Sequence, residues 1–229
     1  MKISEDLLQN DVPARGQLKN SDCVCFYGQE NADRKIAFLG NSITRHGRAE
    51  ALGWYGDWGM AASCRENDYV HRLVSRLEGD GERVFYCVAN FSDWERTRER
   101  SLFETRYAEV FRFRADTAVI RLGENADLPK HFQEFSQCYA ELAARLAESG
   151  ARVILTDLFW EYEPFDLFVK ELATKRGYTF VQLHDLGARE DMKAIGKFVH
   201  AGVAAHPGDE GMAQIAARLY AAIKGQDKE

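Results

Sequence analysis

Three separate stretches of this 229-residue chain carry side chains that together are competent for acyl transfer: a hydroxyl at Ser42, an amide at Asn125 and an imidazole at His206. The first lies in Lys35-Ile-Ala-Phe-Leu-Gly-Asn-Ser-Ile-Thr44, an apolar run that passes straight into Gly40-Asn41-Ser42. A glycine at the end of a strand allows a sharp exit, at the carboxyl edge where open parallel sheets bind ligands. A serine there can act as a nucleophile while its own N–H faces a developing oxyanion; it reads equally well as an ordinary helix N-cap. The second stretch, Val119-Ile-Arg-Leu-Gly-Glu-Asn125, ends in the same topological place with an amide able to donate to an oxyanion, although an asparagine after a strand is also a common turn residue. The third is Ala205-His206-Pro207-Gly208, in the loop before the last helical segment.

His46 follows Ser42 by four residues and would share its face if a helix begins at once, lining the pocket on the substrate side or serving the structure. Close behind comes Gly53-Trp54-Tyr55-Gly56-Asp57-Trp58-Gly59-Met60, too irregular for a helix. The indoles of Trp54 and Trp58 either stack on a sugar ring or cap the core. Trp160, Glu161 and Glu163, after the fourth strand, either line the same mouth or form plain surface. His71, His131, His184 and His200 show no partner pattern and read as structural or surface residues. The five cysteines lack paired ligand spacing and read as free thiols; no zinc-type cluster is visible, so neither metal nor cofactor is expected.

The elements that must position these groups are legible as alternating strands and helices. Apolar runs at 36–39, 84–89, 117–122, 153–156 and 178–183 predict five parallel strands. Between them, Tyr69, Val70, Leu73, Val74 and Leu77 repeat at helical spacing, as do Phe132, Phe135, Tyr139, Leu142 and Leu146. Phe165, Phe168, Val169 and Leu172 suggest another helix, and Met212, Ile215, Ala216, Leu219 and Ile223 a closing one with Asp209 as its N-cap. The expected fold is a three-layer α/β/α sandwich with a five-stranded parallel sheet in flavodoxin-like order. Residues 1–34, polar and then short-stranded around 24–27, read as an N-terminal extension packed on a domain spanning 35–229.

A formal net charge of −6 disfavours nucleic acid or an anionic membrane surface as the main partner. The opening MKISEDLLQNDVPARGQ has no basic start followed by an apolar run, and no window approaches a membrane span, so a soluble cytoplasmic protein is expected, or a secreted one if a signal has been removed. Oligomeric state is not legible.

Taken together, Gly40-Asn41-Ser42, Gly123-Glu124-Asn125 and His206-Pro207 resemble the first, third and fifth sequence blocks of the GDSL/SGNH hydrolases, a likeness spanning residues 35–223. The resemblance implies that Ser42 is the nucleophile, His206 the general base and Asn125 an oxyanion donor. Asn41 stands where the family has aspartate; it is expected to matter mainly for structure while bordering the substrate pocket with His46, Trp54 and Trp58. For the second block the best match is Asn90-Phe91-Ser92, with Ser92 at the position whose backbone N–H would join the oxyanion hole.

One departure bears on activity. The family's catalytic aspartate precedes the histidine by three residues, and that position is Val203. Loss of the orienting carboxylate costs about 10⁴-fold in a serine protease. A carboxylate from elsewhere, such as Asp209, Glu210 or Glu124, takes its place; a backbone carbonyl orients the ring in a Ser–His dyad; or activity is weakened. The expected function is serine-dependent hydrolysis of small esters, acetyl groups on carbohydrates in particular. The alternatives are a weakened or inactive carbohydrate-binding relative and a flavodoxin-like nucleotide-binding module, though no glycine-rich phosphate loop follows the first strand.

Overall fold

The computed structural model describes residues 23–225. Its centre is a six-stranded sheet: β1 (Val24–Tyr27), β2 (Arg34–Gly40), β3 (Val84–Asn90), β4 (Thr117–Ile120), β5 (Arg152–Thr156) and β6 (Thr179–Val181), in the order β1-β3-β2-β4-β5-β6. The five strands expected to be parallel are so, in flavodoxin-like order. The sixth, β1, is added antiparallel to the edge of β3.

Period-two alternation divides the apolar side chains between the faces of the sheet. Ala37, Leu39, Ala89, Ala118, Ile120 and Leu155 meet α4 (Leu128–Glu148) and α5 (Glu163–Arg176) through Phe135, Tyr139, Leu142, Phe165 and Val169. Ile36, Phe38, Val88, Val119 and Ile154 meet α1 (Tyr69–Gly79) and α8 (Asp209–Gly225) through Leu73, Leu77, Ile215 and Leu219. The result is three layers, with the helical stripes seen in the sequence facing inward. Asp68 caps α1 by accepting from the His71 N–H at 2.8 Å. Asp209 does not cap α8 as expected: it is the first helical residue, and its carboxylate reaches out to Ser63.

Strand register sets the site. Gly40 lies opposite Asn90 and Leu39 opposite Ile120, so the segments leaving β2, β3 and β4 emerge along one rim. Arg121 still donates its N–H to the Leu39 carbonyl at 2.9 Å, and the chain then turns away at Gly123, whose φ is +137°. A Cβ at Gly123 would sit 2.7 Å from Leu158, so glycine is required on both conformational and steric grounds.

The aromatic insertion is a packing element. Trp54, Met60, Ala61, Ala194 and Val203 form a third, small apolar cluster, with Trp58 and Phe198 against it. Residues 49–62 are thereby joined to the segment leading into His206. Among the described residues, no helix is long and apolar enough to cross a membrane.

Candidate active site

Ser42 and His206 meet. Ser42 Oγ lies 2.8 Å from His206 Nε2, across 164 residues of sequence. Ser42 sits in a single helical turn after β2, in which the Thr44 and Arg45 N–H groups both donate to the Asn41 carbonyl. The chain then bends back, and the His46 N–H donates to the Trp58 carbonyl. No helix continues from Ser42, so the helical-face argument for His46 fails. The Ser42 carbonyl accepts from Met60 N–H at 2.8 Å, while among the described residues no group accepts the Ser42 N–H.

On its other side the His206 ring meets a backbone group. Nδ1 lies 2.7 Å from the Gly202 carbonyl, which can only accept, so Nδ1 carries the proton and Nε2 presents a lone pair to the serine hydroxyl. Gly202 belongs to α7 (Ala201–Ala204), a single turn capped by His200, whose Nδ1 accepts from the Val203 N–H. The backbone around the base is tied by the Ala194 N–H to the His206 carbonyl at 2.9 Å and by a β-bridge between Lys193 and Pro207. Trp160 packs edge-to-face on the imidazole, with ring centroids 5.1 Å apart. Burial pushes the His206 pKa down to about 3; the Gly202 carbonyl acts in the opposite sense, and His46, Arg121 and His200 add to the depression. The ring is therefore neutral, the state in which an imidazole can accept a proton.

Among the described residues, no carboxylate hydrogen-bonds the His206 ring. Val203 is 1% exposed, packed in the small cluster with Trp54 and Met60. The Asp209 carboxylate accepts from Ser63 N–H and Oγ and from Asn67. Glu210 accepts from Gln214 within α8, and Glu124 is held by Asn41 and Arg121. Of the possibilities left open by the sequence, the geometry is that of a Ser–His dyad oriented by a carbonyl.

Next to Ser42 lies a buried polar network that the sequence reading did not assemble. Asn41, fully buried, donates its amide to Glu95 at 3.0 Å and Glu124 at 2.7 Å, and its carbonyl accepts from Arg121. Arg121, also fully buried, pairs with Glu124. Glu95 belongs to α2 (Ser92–Thr97) and accepts in addition from the Gly123 N–H and from Asn125 Nδ2. Burial raises the Glu95 pKa, with the nearby Glu124 charge acting the same way. An amide at position 41 is what two carboxylates and one guanidinium require, because it alone donates to the former and accepts from the latter. Arg121 had a visible signal, an arginine inside the apolar run Val119-Ile-Arg-Leu. Glu95 had none.

Several expected pocket residues lie elsewhere. Asn41 is internal, and Trp54, 2% exposed, donates its indole N–H to the His46 carbonyl, so neither is available to contact substrate. His46 is 1% exposed, with Nδ1 on the Gly47 carbonyl and its pKa pushed down to about 4 by burial. Trp58 is half-buried and donates to the Ala62 carbonyl. The Ser92 N–H donates to Asn90 Oδ1 at 2.9 Å rather than standing free for an oxyanion. Asn125 is partly exposed at the rim, as expected from its place after β4. Of the remaining histidines, His71 pairs with Asp68, His131 with Glu134 and His184 with Asp157.

Comparisons with known proteins bear on the fold. No protein-family profile matches the chain, and no curated protein does. Solved structures do. The psychrotrophic esterase EstA from Pseudoalteromonas sp. superposes with a TM-score of 0.60 at 14% identity, over 86% of this chain and 100% of that one. TesA gives 0.55 at 15% identity, over 84% and 99%. A lipolytic protein of the G-D-S-L family from Desulfitobacterium hafniense gives 0.52 at 16% identity, over 83% and 99%. The chain has the fold of the GDSL/SGNH hydrolases along nearly its whole described length.

Proposed function

We propose, from the fold shared with GDSL-type esterases and the 2.8 Å approach of Ser42 to His206, that this chain is a serine-dependent ester hydrolase. Neutral His206 takes the hydroxyl proton at Nε2 as Ser42 Oγ attacks the ester carbonyl carbon. The Ser42 N–H and the second N–H of Asn125 hold the resulting oxyanion. Collapse expels the alcohol, which receives the proton from His206, and leaves an acyl group on Ser42. Water, deprotonated by the same imidazole, attacks that acyl carbon; the acyl–Oγ bond then breaks, His206 returns the proton to Ser42 Oγ, and the acid is released. The Gly202 carbonyl holds the ring and its tautomer throughout, without the full charge that a carboxylate would set against the imidazolium.

The same geometry supports a reading of the substrate class. Because His206 protonates the leaving alcohol, groups packed on its ring flank the alcohol portion of the ester. Trp160 is there, partly exposed, and an indole suits the apolar face of a sugar ring. The reading is removal of small acyl groups, acetyl above all, from a carbohydrate or similar alcohol. Trp160, rather than Trp54, would be its stacking residue.

The single supporting observation is the Ser42–His206 contact, and it is directly testable. EstA has been described inhibited by monoethylphosphonate, and phosphonate chemistry serves equally here. A fluorophosphonate probe should label the protein at Ser42, with labelling and p-nitrophenyl acetate turnover both lost in Ser42→Ala. An unlabelled, inactive wild type would favour the second reading, a non-catalytic carbohydrate binder, for which the uncharged partner on His206 Nδ1 speaks.

A further inference from the structure

Asn125 is gripped at both ends of its amide by two consecutive residues of α2. Arg96 Nη2 donates to Asn125 Oδ1 at 2.9 Å, and Asn125 Nδ2 donates to Glu95 Oε2 at 2.7 Å. A guanidinium only donates, so the amide oxygen must face Arg96 and Nδ2 must face Glu95, and the amide has one allowed orientation. Rotated by half a turn, it would set its oxygen against the carboxylate and its N–H groups against the guanidinium. One hydrogen of Nδ2 is committed to Glu95, and the other is left over.

The same carboxylate reaches the nucleophile's segment. Glu95 Oε1 accepts from the Gly123 N–H and from Asn41 Nδ2, the side chain next to Ser42. One fully buried group thus anchors both the turn that carries the nucleophile and the turn that carries the amide. Arg121 pairs with the Glu124 carboxylate, and Arg96, which also pairs with Asp93, holds the other end of the Asn125 amide from Glu95. Electrostatic stabilisation of an oxyanion depends on donors held in place beforehand.

Resting on the esterase reading, we propose that Glu95 and Arg96 are positioning residues, which fix the Asn125 amide so that its uncommitted N–H faces the acyl oxygen bound at Ser42. Neither touches substrate. Both act through Asn125, which supplies the contact.

The test is a pair of mutant cycles with a second readout independent of turnover. Glu95→Gln keeps the shape but turns a donor toward the Asn125 amide. It should lower kcat for p-nitrophenyl acetate by about 10- to 100-fold with KM within about threefold, the pattern of a lost transition-state interaction. Asn125→Ala should cost about 100-fold, and the double variant should be no more than about threefold worse than Asn125→Ala alone. A product of the two single effects would overturn the proposal. Arg96→Met, at a partly exposed position, runs the same cycle should Glu95→Gln fail to fold. In ¹⁵N-labelled protein, one Asn125 side-chain amide proton should show the downfield shift of a carboxylate hydrogen bond and lose it in Glu95→Gln; an unmoved pair also sinks the clamp. A wild type that neither labels nor hydrolyses defeats the esterase reading, while the amide shifts still decide whether the clamp exists.

Discussion

The Gly202 carbonyl accepts the Nδ1–H of His206 at 2.7 Å, occupying the place where a triad would hold its acid. The adjacent residue, Val203, turns its side chain into the apolar cluster with Trp54, Met60 and Ala61. The two facts are linked: a one-turn helix aims a carbonyl at the imidazole while burying the side chain at the position from which an aspartate would have acted.

Placing an aspartate at position 203 should therefore harm the protein. Val203→Asp buries a carboxylate among indole and thioether groups with no donor provided for it, and is expected to cost about 3 kcal/mol. Urea unfolding measures the loss, and kcat should not rise. An active-site gain in Val203→Asp would show that the side chain can reach the ring, contrary to its packing.

Position 41 should behave in the same way. Asn41→Asp sets a third carboxylate against Glu95 and Glu124 and removes their shared donor. The expected destabilisation is about 2 to 4 kcal/mol, read from the urea midpoint at pH 7. A variant as stable as wild type would mean that the network relaxes freely.

The indoles should separate by role. Trp54→Ala removes a buried core side chain and is expected to cost about 3 to 5 kcal/mol. Trp160→Ala should cost far less stability, yet raise KM for an acetylated sugar more than for p-nitrophenyl acetate. Equal effects on the two substrates would remove Trp160 from the leaving-group side.

The pH dependence has a definite sign. In the proposed mechanism the active form of His206 is the neutral one, and its pKa lies well below the ordinary imidazole value, so kcat/KM should stay flat from neutral pH into the acid range and fall only as the folded pKa is approached. Stability moves differently. His46 has a folded pKa of about 4 against about 6.5 unfolded, so below pH 6.5 the unfolded chain takes up the proton first, and stability falls until about pH 4. That share is roughly 3 kcal/mol. Asp157, raised to about 6 chiefly by burial, works in the opposite direction as pH falls toward its unfolded value. The clean measurement is the difference between wild type and His46→Gln melts at pH 7 and pH 5, where the variant should lose less. Parallel slopes would refute the assignment to His46.

How far the sequence reached depended on whether a feature lives in side-chain pattern or in backbone. The five parallel strands were legible because buried strands read as unbroken apolar runs, and the helices because Tyr69-to-Leu77 and its counterparts repeat on one face. Ser42 and Asn125 stood out by their position after apolar strands, His206 by its place in the loop before the last helix, and all three by their likeness to known blocks. The Gly202 carbonyl was not, since every residue has one and only a folded turn gives it direction. Glu95 and Arg96 were missed for a related reason: their partner lies across the rim on the far side of β2, and a Glu-Arg pair in a short helix looks like solvated surface. Trp54 was ambiguous because an indole in an irregular glycine-rich segment suits a sugar and a core equally, and the decision came from Val203 and Phe198, about 150 residues away.

The shared cluster of Trp54, Ala194 and Val203 has a practical meaning for anyone who wishes to redesign this protein. Segments 49–62 and 194–206 are coupled parts, and transplanting either one alone from a protein of the same fold would disturb the contact between His206 and Ser42. Loop grafting here has to move both at once, as a matched cassette.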